Sequence, residues 1–156
     1  ALCAILTDVQ SLLVLRAESK GTTLRFVAEG PVSDDVLTDP IRLKQILLNV
    51  VGNAIKFTMD GEVEVRFERS DTHLVFRVRD TGIGIADEDR PLLFQPFSQI
   101  DQSFRKGYGG TGLGLTISRQ LAQLLGGNLE LESSVVGIGS VFRLTIRSEA
   151  VSQVSD

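Results

Sequence analysis

Between Asp39 and Phe57 the apolar residues recur at helical spacing, with Leu43, Ile46, Leu47, Val50 and Ala54 on one side. Asp39-Pro40 supplies the start: an N-cap carboxylate, then the residue whose fixed φ suits the first helical position. A one-sided stripe of this length must lie against a second layer. The rest of the chain identifies that layer. Thr22 to Ala28, Glu62 to Glu68, Leu74 to Asp80, Asn128 to Ser133 and Ser140 to Arg147 read as strands, broken by Gly30-Pro31, Asp60-Gly61 and Gly137-Ile138-Gly139. Two further helices are expected. Ile5 to Lys20 carries Ile5, Leu6, Val9, Leu12, Leu13 and Ala17 and closes at Gly21; Gly112 to Leu125 stops at Gly126-Gly127. Thr81 to Thr111 is mostly loop, with a short helix near Asp87 to Phe94. This order predicts an α+β fold, a two-layer α/β sandwich with helices on one face of a mixed, mostly antiparallel sheet.

At 156 residues and 42% hydrophobic content the chain fits one domain, expected over residues 1–147, with a polar tail or linker over 148–156. A net charge of −4 argues against nucleic acid as the main partner. The single Cys3 excludes an intramolecular disulfide and fits a reducing, cytoplasmic compartment. The single His73 excludes a His-rich metal site and argues against a His-dependent nucleophile. No apolar run is long enough to span a bilayer, so no direct membrane contact is expected. Ala1 to Leu6 carries no basic leader, so a signal peptide is not expected, and the start inside an apolar pattern suits a piece of a longer chain.

Three segments could carry chemistry. On the helix at Asp39, Asn49, Asn53 and Lys56 share a face; they read either as a solvated polar stripe or as a hard-cation site beside a phosphate-binding ammonium. Asp80-Thr81-Gly82-Ile83-Gly84-Ile85 puts a carboxylate where a strand becomes a glycine turn, placed to accept a hydrogen bond from a ligand, although a plain tight turn has the same spelling. Gly107-Tyr108-Gly109-Gly110-Thr111-Gly112-Leu113-Gly114-Leu115 opens a helix with exposed N–H groups and suits phosphate. Its one dinucleotide-type glycine match lacks a preceding buried strand, and no Lys-Ser/Thr follows as a Walker A loop requires. Nine of the 15 glycines fall in this segment, the Asp80 turn and Gly137-Ile138-Gly139.

Together these segments resemble the catalytic and ATP-binding domain of sensor histidine kinases. Asn49 to Thr58 is similar to that family's N box, Asp80 to Gly84 to its G1 box, Leu93-Phe94-Gln95-Pro96-Phe97 to its F box, and Gly109 to Leu115 to its G2 box. Gly137-Ile138-Gly139-Ser140 is similar to the last glycine motif before the terminal strand. The resemblance runs from the first helix to about Arg147 and implies the GHKL-type (Bergerat) fold shared with gyrase B subunits and mismatch-repair ATPases.

By this resemblance Asn53 holds Mg²⁺, Asn49 and Lys56 meet the phosphates of ATP and act in catalysis, and Phe57 lies against the adenine. Asp80 accepts from the adenine amino group, and Gly82, Gly84 and Ile85 open the base pocket. Gly110, Thr111, Gly112, Leu113, Gly114 and Leu115 shape the hinge of an ATP lid near the phosphates. Phe94 and Phe97 anchor that lid, and Thr145 on the terminal strand completes the ATP set. The lid resembles hybrid kinases at Asp101 and Ser103, but Arg105 and Lys106 replace the usual Thr-Arg pair and Gly107 precedes Tyr108.

Hydrolysing relatives place Glu one helical turn before the metal Asn, where it activates water; Asn49 cannot accept that proton. The implied function is therefore ATP-dependent phosphorylation of a histidine on a separate dimerisation and phosphoacceptor domain of the same protein. Expected companions are a downstream receiver domain or response regulator, in a full-length homodimer that is cytoplasmic or membrane-anchored. The alternatives are an inactive nucleotide-binding module and a GHKL-type ATPase, with an anti-sigma-type serine kinase as a further relative.

Overall fold

The computed structural model describes residues 2–30, 38–94 and 114–148. In chain order these form α1 (Leu2–Ser19), β1 (Thr23–Ala28), α2 (Pro40–Lys56), β2 (Glu62–Arg69) and β3 (His73–Asp80). A 3₁₀ helix (Asp87–Leu92), α3 (Gly114–Leu124), β4 (Asn128–Val135) and β5 (Gly139–Arg147) follow. The sheet runs β1-β2-β3-β5-β4, parallel between β1 and β2 and antiparallel elsewhere. The three α-helices cover one face of it, as the alternation of helices and hairpins predicts.

α2 is the middle helix, flanked by α1 and α3. Asp39 caps it, its Oδ1 accepting from the N–H groups of Ile41 (3.0 Å) and Arg42 (3.2 Å). Because it has neighbours on both sides, its buried surface is wider than a single stripe and takes in Val51, Gly52 and Ile55 as well. Gly52 leaves room for the Arg16 guanidinium of α1, 3.6 Å from where a Cβ would stand. α1 ends at Gly21 (φ +66°), as the sequence predicts, and buries Leu2, Ile5, Leu6, Val9, Leu13 and Ala17. Leu12, expected in the stripe, is 59% exposed, because Leu2 rather than Leu12 completes the row facing α2 and the sheet.

β3 sets the position of the candidate site. Its alternate residues Leu74, Phe76 and Val78 are fully buried under the helices, and the same two-residue period turns Asp80 inward. β5 pairs with it, sending Ser140, Phe142, Leu144 and Ile146 inward. The outer face carries ion pairs across the strands, among them Arg79–Glu62 (2.5 Å), Arg25–Glu64 (2.8 Å), Arg66–Glu64 (2.6 Å) and Arg143–Glu130 (2.6 Å). Three guanidinium groups cover Glu64 so fully that it is only 3% exposed, and the hydrogen bond from Arg66 leads in holding its carboxyl below the usual range.

Candidate functional site

A pocket opens at the end of the sheet where α2 finishes and α3 begins. It holds about 510 Å³ including its mouth and is lined chiefly by Asn53, Phe57, Asp80, Ile85, Leu115 and Phe142. Ala54, Ile83, Gly84, Leu93 and Ser140 complete the lining, so the walls are mostly apolar.

Asp80 is the charged group among these lining residues, and it is 7% exposed. Burial pushes its carboxyl up from 3.8 to about 6; the N–H groups of Gly82 and Ser140 and the charge of Arg79 oppose the rise. Gly82 N–H donates to Oδ1 at 2.9 Å, and the carboxylate also lines the pocket. An aromatic base fits such a site: flat apolar walls, with one directional acceptor at the floor.

The polar rim comes from the two helix ends. Asn49, Asn53 and Lys56 are half-buried along one side of α2, and Asn53 reaches the pocket. A Cβ on Gly114 would stand 3.9 Å from Asn53 Nδ2, so the positive end of α3 lies beside the Asn53 amide. Lys56 is 5.7 Å from the centre of the Phe57 ring. The end of α2 is held from outside: Lys20 Nζ donates to the carbonyls of Ile55 (2.8 Å) and Lys56. Burial, and then the charge of Lys56, lower the Lys20 pKa.

The structure thus brings Asn53, Phe57, Asp80, Ile85 and Leu115 into one pocket, with Gly114 beside Asn53, and with Asn49 and Lys56 on α2 outside the lining. Phe97, Arg105, Lys106, Gly110, Thr111, Gly112 and Leu113 lie outside the described residues. Phe94 packs on the core, with Arg119 of α3 3.6 Å above its ring and Thr116 Oγ1 donating to its carbonyl (2.9 Å). Thr145 is not at the pocket. It is an odd-numbered residue of β5, whose inward side chains are even-numbered, so it faces outward between Val75 and Asn128. Ser140, which ends the same strand on the inward face, lines the pocket in its place.

The glycines of the Asp80 turn are needed for a reason other than access to a ligand. A Cβ at Gly82 would stand 2.3 Å from the Phe57 carbonyl oxygen, and one at Gly84 (φ +74°) 2.3 Å from that of Val135. They let the turn pack on α2 and on the β4–β5 hairpin. Gly84→Ala is expected to cost at least about 2 kcal/mol, from its left-handed backbone and the clash, in urea denaturation.

A family model described as "Histidine kinase-, DNA gyrase B-, and HSP90-like ATPase" matches residues 38–150. The signal transduction histidine-protein kinase BarA of Escherichia coli K12 is 41% identical over 133 residues, which cover 82% of this chain and 14% of BarA. Full-length ShkA, solved in complex with AMPPNP, superposes with a TM-score of 0.82 at 34% identity, over 95% of this chain and 30% of that one. The nucleotide-free catalytic domain of histidine kinase ThkA gives 0.76 at 28% identity and covers 94% of this chain and 91% of that one. The chain belongs to the family of histidine kinase-, DNA gyrase B- and HSP90-like ATPases.

Proposed function

We propose that this chain is the ATP-binding catalytic domain of a two-component sensor histidine kinase, donating the γ-phosphoryl group of Mg-ATP to a histidine on a separate domain of the same protein. The observation that carries this reading is a buried carboxylate at the floor of an apolar pocket, with Asn53 and a helix N-terminus on its rim. The floor suits a base that donates a hydrogen bond, and the rim suits phosphate. Among the described residues no cluster of His, Cys, Asp or Glu can hold a metal ion. Mg²⁺ would therefore come with the phosphates, which supply most of its oxygen ligands, and the Asn53 amide oxygen would be this chain's contribution. Its chemistry is neutralisation of phosphate charge, which is most of what phosphoryl transfer requires. Asn49 favours transfer to an incoming nucleophile over hydrolysis, because an amide cannot deprotonate water.

The proposed partners are the phosphoacceptor and dimerisation domain and a receiver domain or response regulator, since BarA is far longer than the matched region, which covers 14% of it. A cytoplasmic setting follows from ATP as substrate.

Titration calorimetry with ATP, with and without Mg²⁺, tests the site. Asn53→Ala is expected to remove most of the Mg²⁺-dependent gain in affinity, about tenfold or more, and to leave adenosine binding unchanged. Loss of adenosine binding as well would show that Asn53 shapes the base pocket and does not hold the metal. Radiolabelled transfer to a two-helix domain bearing the acceptor histidine tests the activity. Binding without transfer would leave an inactive nucleotide-binding module as the reading.

A further inference from the structure

No glycine closes α2. Its C-cap, Phe57, keeps φ −96° and ψ 9°, and the Phe57 N–H donates back to the carbonyls of Asn53 and Ile55. The other carbonyls at such an end need donors from outside the helix ladder. Thr58 Oγ1 serves Ala54 (2.7 Å), and Lys20 Nζ serves the final two, Ile55 (2.8 Å) and Lys56. An ammonium placed there also meets the negative end of the helix dipole. Lys20 is itself held at both backbone groups. Its N–H donates to the Ala17 carbonyl in α1 (3.0 Å), and its own carbonyl accepts from Asp60 N–H in the loop after α2 (2.9 Å). The ammonium therefore reaches the end of α2 from a fixed point, 35 and 36 residues away along the chain.

The Lys56 carbonyl and the Phe57 N–H belong to one peptide plane, which turns as a unit. Lys20 grips that plane at its oxygen, and Asn53 and Ile55 grip it at its hydrogen. Its orientation sets where Phe57 leaves the helix, and Phe57 lines the pocket. The Phe57 carbonyl then accepts Ile83 N–H at 3.2 Å, and Gly82 fits against the same oxygen because it has no Cβ. This is the inner anchor of the turn from Thr81 to Ala86, which forms another wall. The outer anchors come from the β4–β5 hairpin: Gly137 N–H on the Ile83 carbonyl (2.9 Å) and Ile85 N–H on Ser134 Oγ (2.7 Å). Lys20 thus stands behind two walls of the pocket and lines neither.

We propose that Lys20 is a positioning residue for nucleotide binding. Through the Lys56–Phe57 peptide it holds Phe57 and the inner side of the Asp80 turn in the geometry that receives the base. This rests on the nucleotide reading given above.

Adenosine is the probe, because it carries no charge and so does not respond to the mere loss of a positive side chain. Its dissociation constant is measured by NMR titration on the wild-type chain and its variants, well below the melting temperature of each. Lys20→Met, which keeps the apolar stem and removes the donor, is expected to weaken adenosine about tenfold. Lys20→Arg, which keeps a cationic donor, should lose no more than about threefold. Leu13→Ala, in the buried row of α1, should lower the melting temperature at least as much as Lys20→Met and leave the constant unchanged. In the nucleotide-free Lys20→Met chain, amide exchange at Phe57 and Ile83 should quicken more than in the middle of β5. Undiminished affinity in Lys20→Met, equal weakening in Leu13→Ala, no rescue by arginine, or exchange that quickens uniformly would overturn the proposal. If the wild type binds no adenosine, the nucleotide reading fails and the positioning role with it. If the wild type binds and Lys20→Met binds equally well, the positioning role alone fails.

Discussion

Asp80→Asn is expected to abolish Mg-ATP binding by this chain and, in the same variant, to raise its thermal stability. The two effects share a cause. Asp80 is held inward by the strand period of β3 and ionises in a pocket that offers it few donors, which pushes its carboxyl from 3.8 up to about 6. At neutral pH the empty domain therefore keeps a buried charge at a cost of about 3 kcal/mol. Asparagine removes the charge and keeps an oxygen for the Gly82 N–H. It also places an amino group opposite the amino group of the base, so affinity should fall by about 10²-fold or more. The pH dependence has a definite sign. An acid whose folded pKa is raised contributes stability that is full below about 3.8 and is lost as pH rises through about 6. The melting temperatures of wild type and variant should differ by several degrees at pH 7, with the variant higher, and converge near pH 4. Unchanged nucleotide binding by the variant would remove Asp80 from the base-recognition role. A variant less stable than wild type at pH 7 would show that the carboxylate is structurally required.

The outline of the fold was legible wherever a local rule acted alone. Asp39-Pro40 marks the start of α2 because cap and proline both satisfy orphan helix groups there. Asp80 could be placed at a buried strand end because Leu74, Phe76 and Val78 set the parity. The same parity turns Thr145 away from the pocket and brings Ser140 and Phe142 to it, a distinction that resemblance alone does not make. Other features depend on tertiary context. Leu12 satisfies the helical spacing of α1 but has no layer to lie against, and Gly84 is required by a carbonyl 51 residues further along the chain, at Val135. Ser134 was hidden for a sharper reason. Strict alternation from Leu129 and Leu131 would turn Ser133 inward, but the register of β4 shifts between Leu131 and Ser133, and Ser134 is buried in its place. A single bulge, invisible in composition or spacing, decides which of two adjacent serines reaches the Asp80 turn.

Asn49→Glu is expected to turn a slow or absent hydrolysis of Mg-ATP into a readily measured one. Asn49 stands one helical turn before Asn53 on the same side of α2 and is half-buried. A group there lies next to the terminal phosphate if Asn53 meets the metal. The amide of Asn49 can orient a water but cannot take its proton, whereas a carboxylate can do both. General-base assistance is worth about 10²–10⁴-fold, so phosphate release under single-turnover conditions should rise by at least about 10²-fold. Glutamate is a better helix former than asparagine, so α2 has no local reason to unfold. Asn49→Gln controls for side-chain length and should hydrolyse no faster than wild type. Transfer to the acceptor histidine should decline as water begins to compete for the same phosphoryl group. If the glutamate variant binds Mg-ATP and hydrolyses it no faster, residue 49 does not face the reacting phosphorus, and the absence of hydrolysis must lie in the exclusion of water from the site.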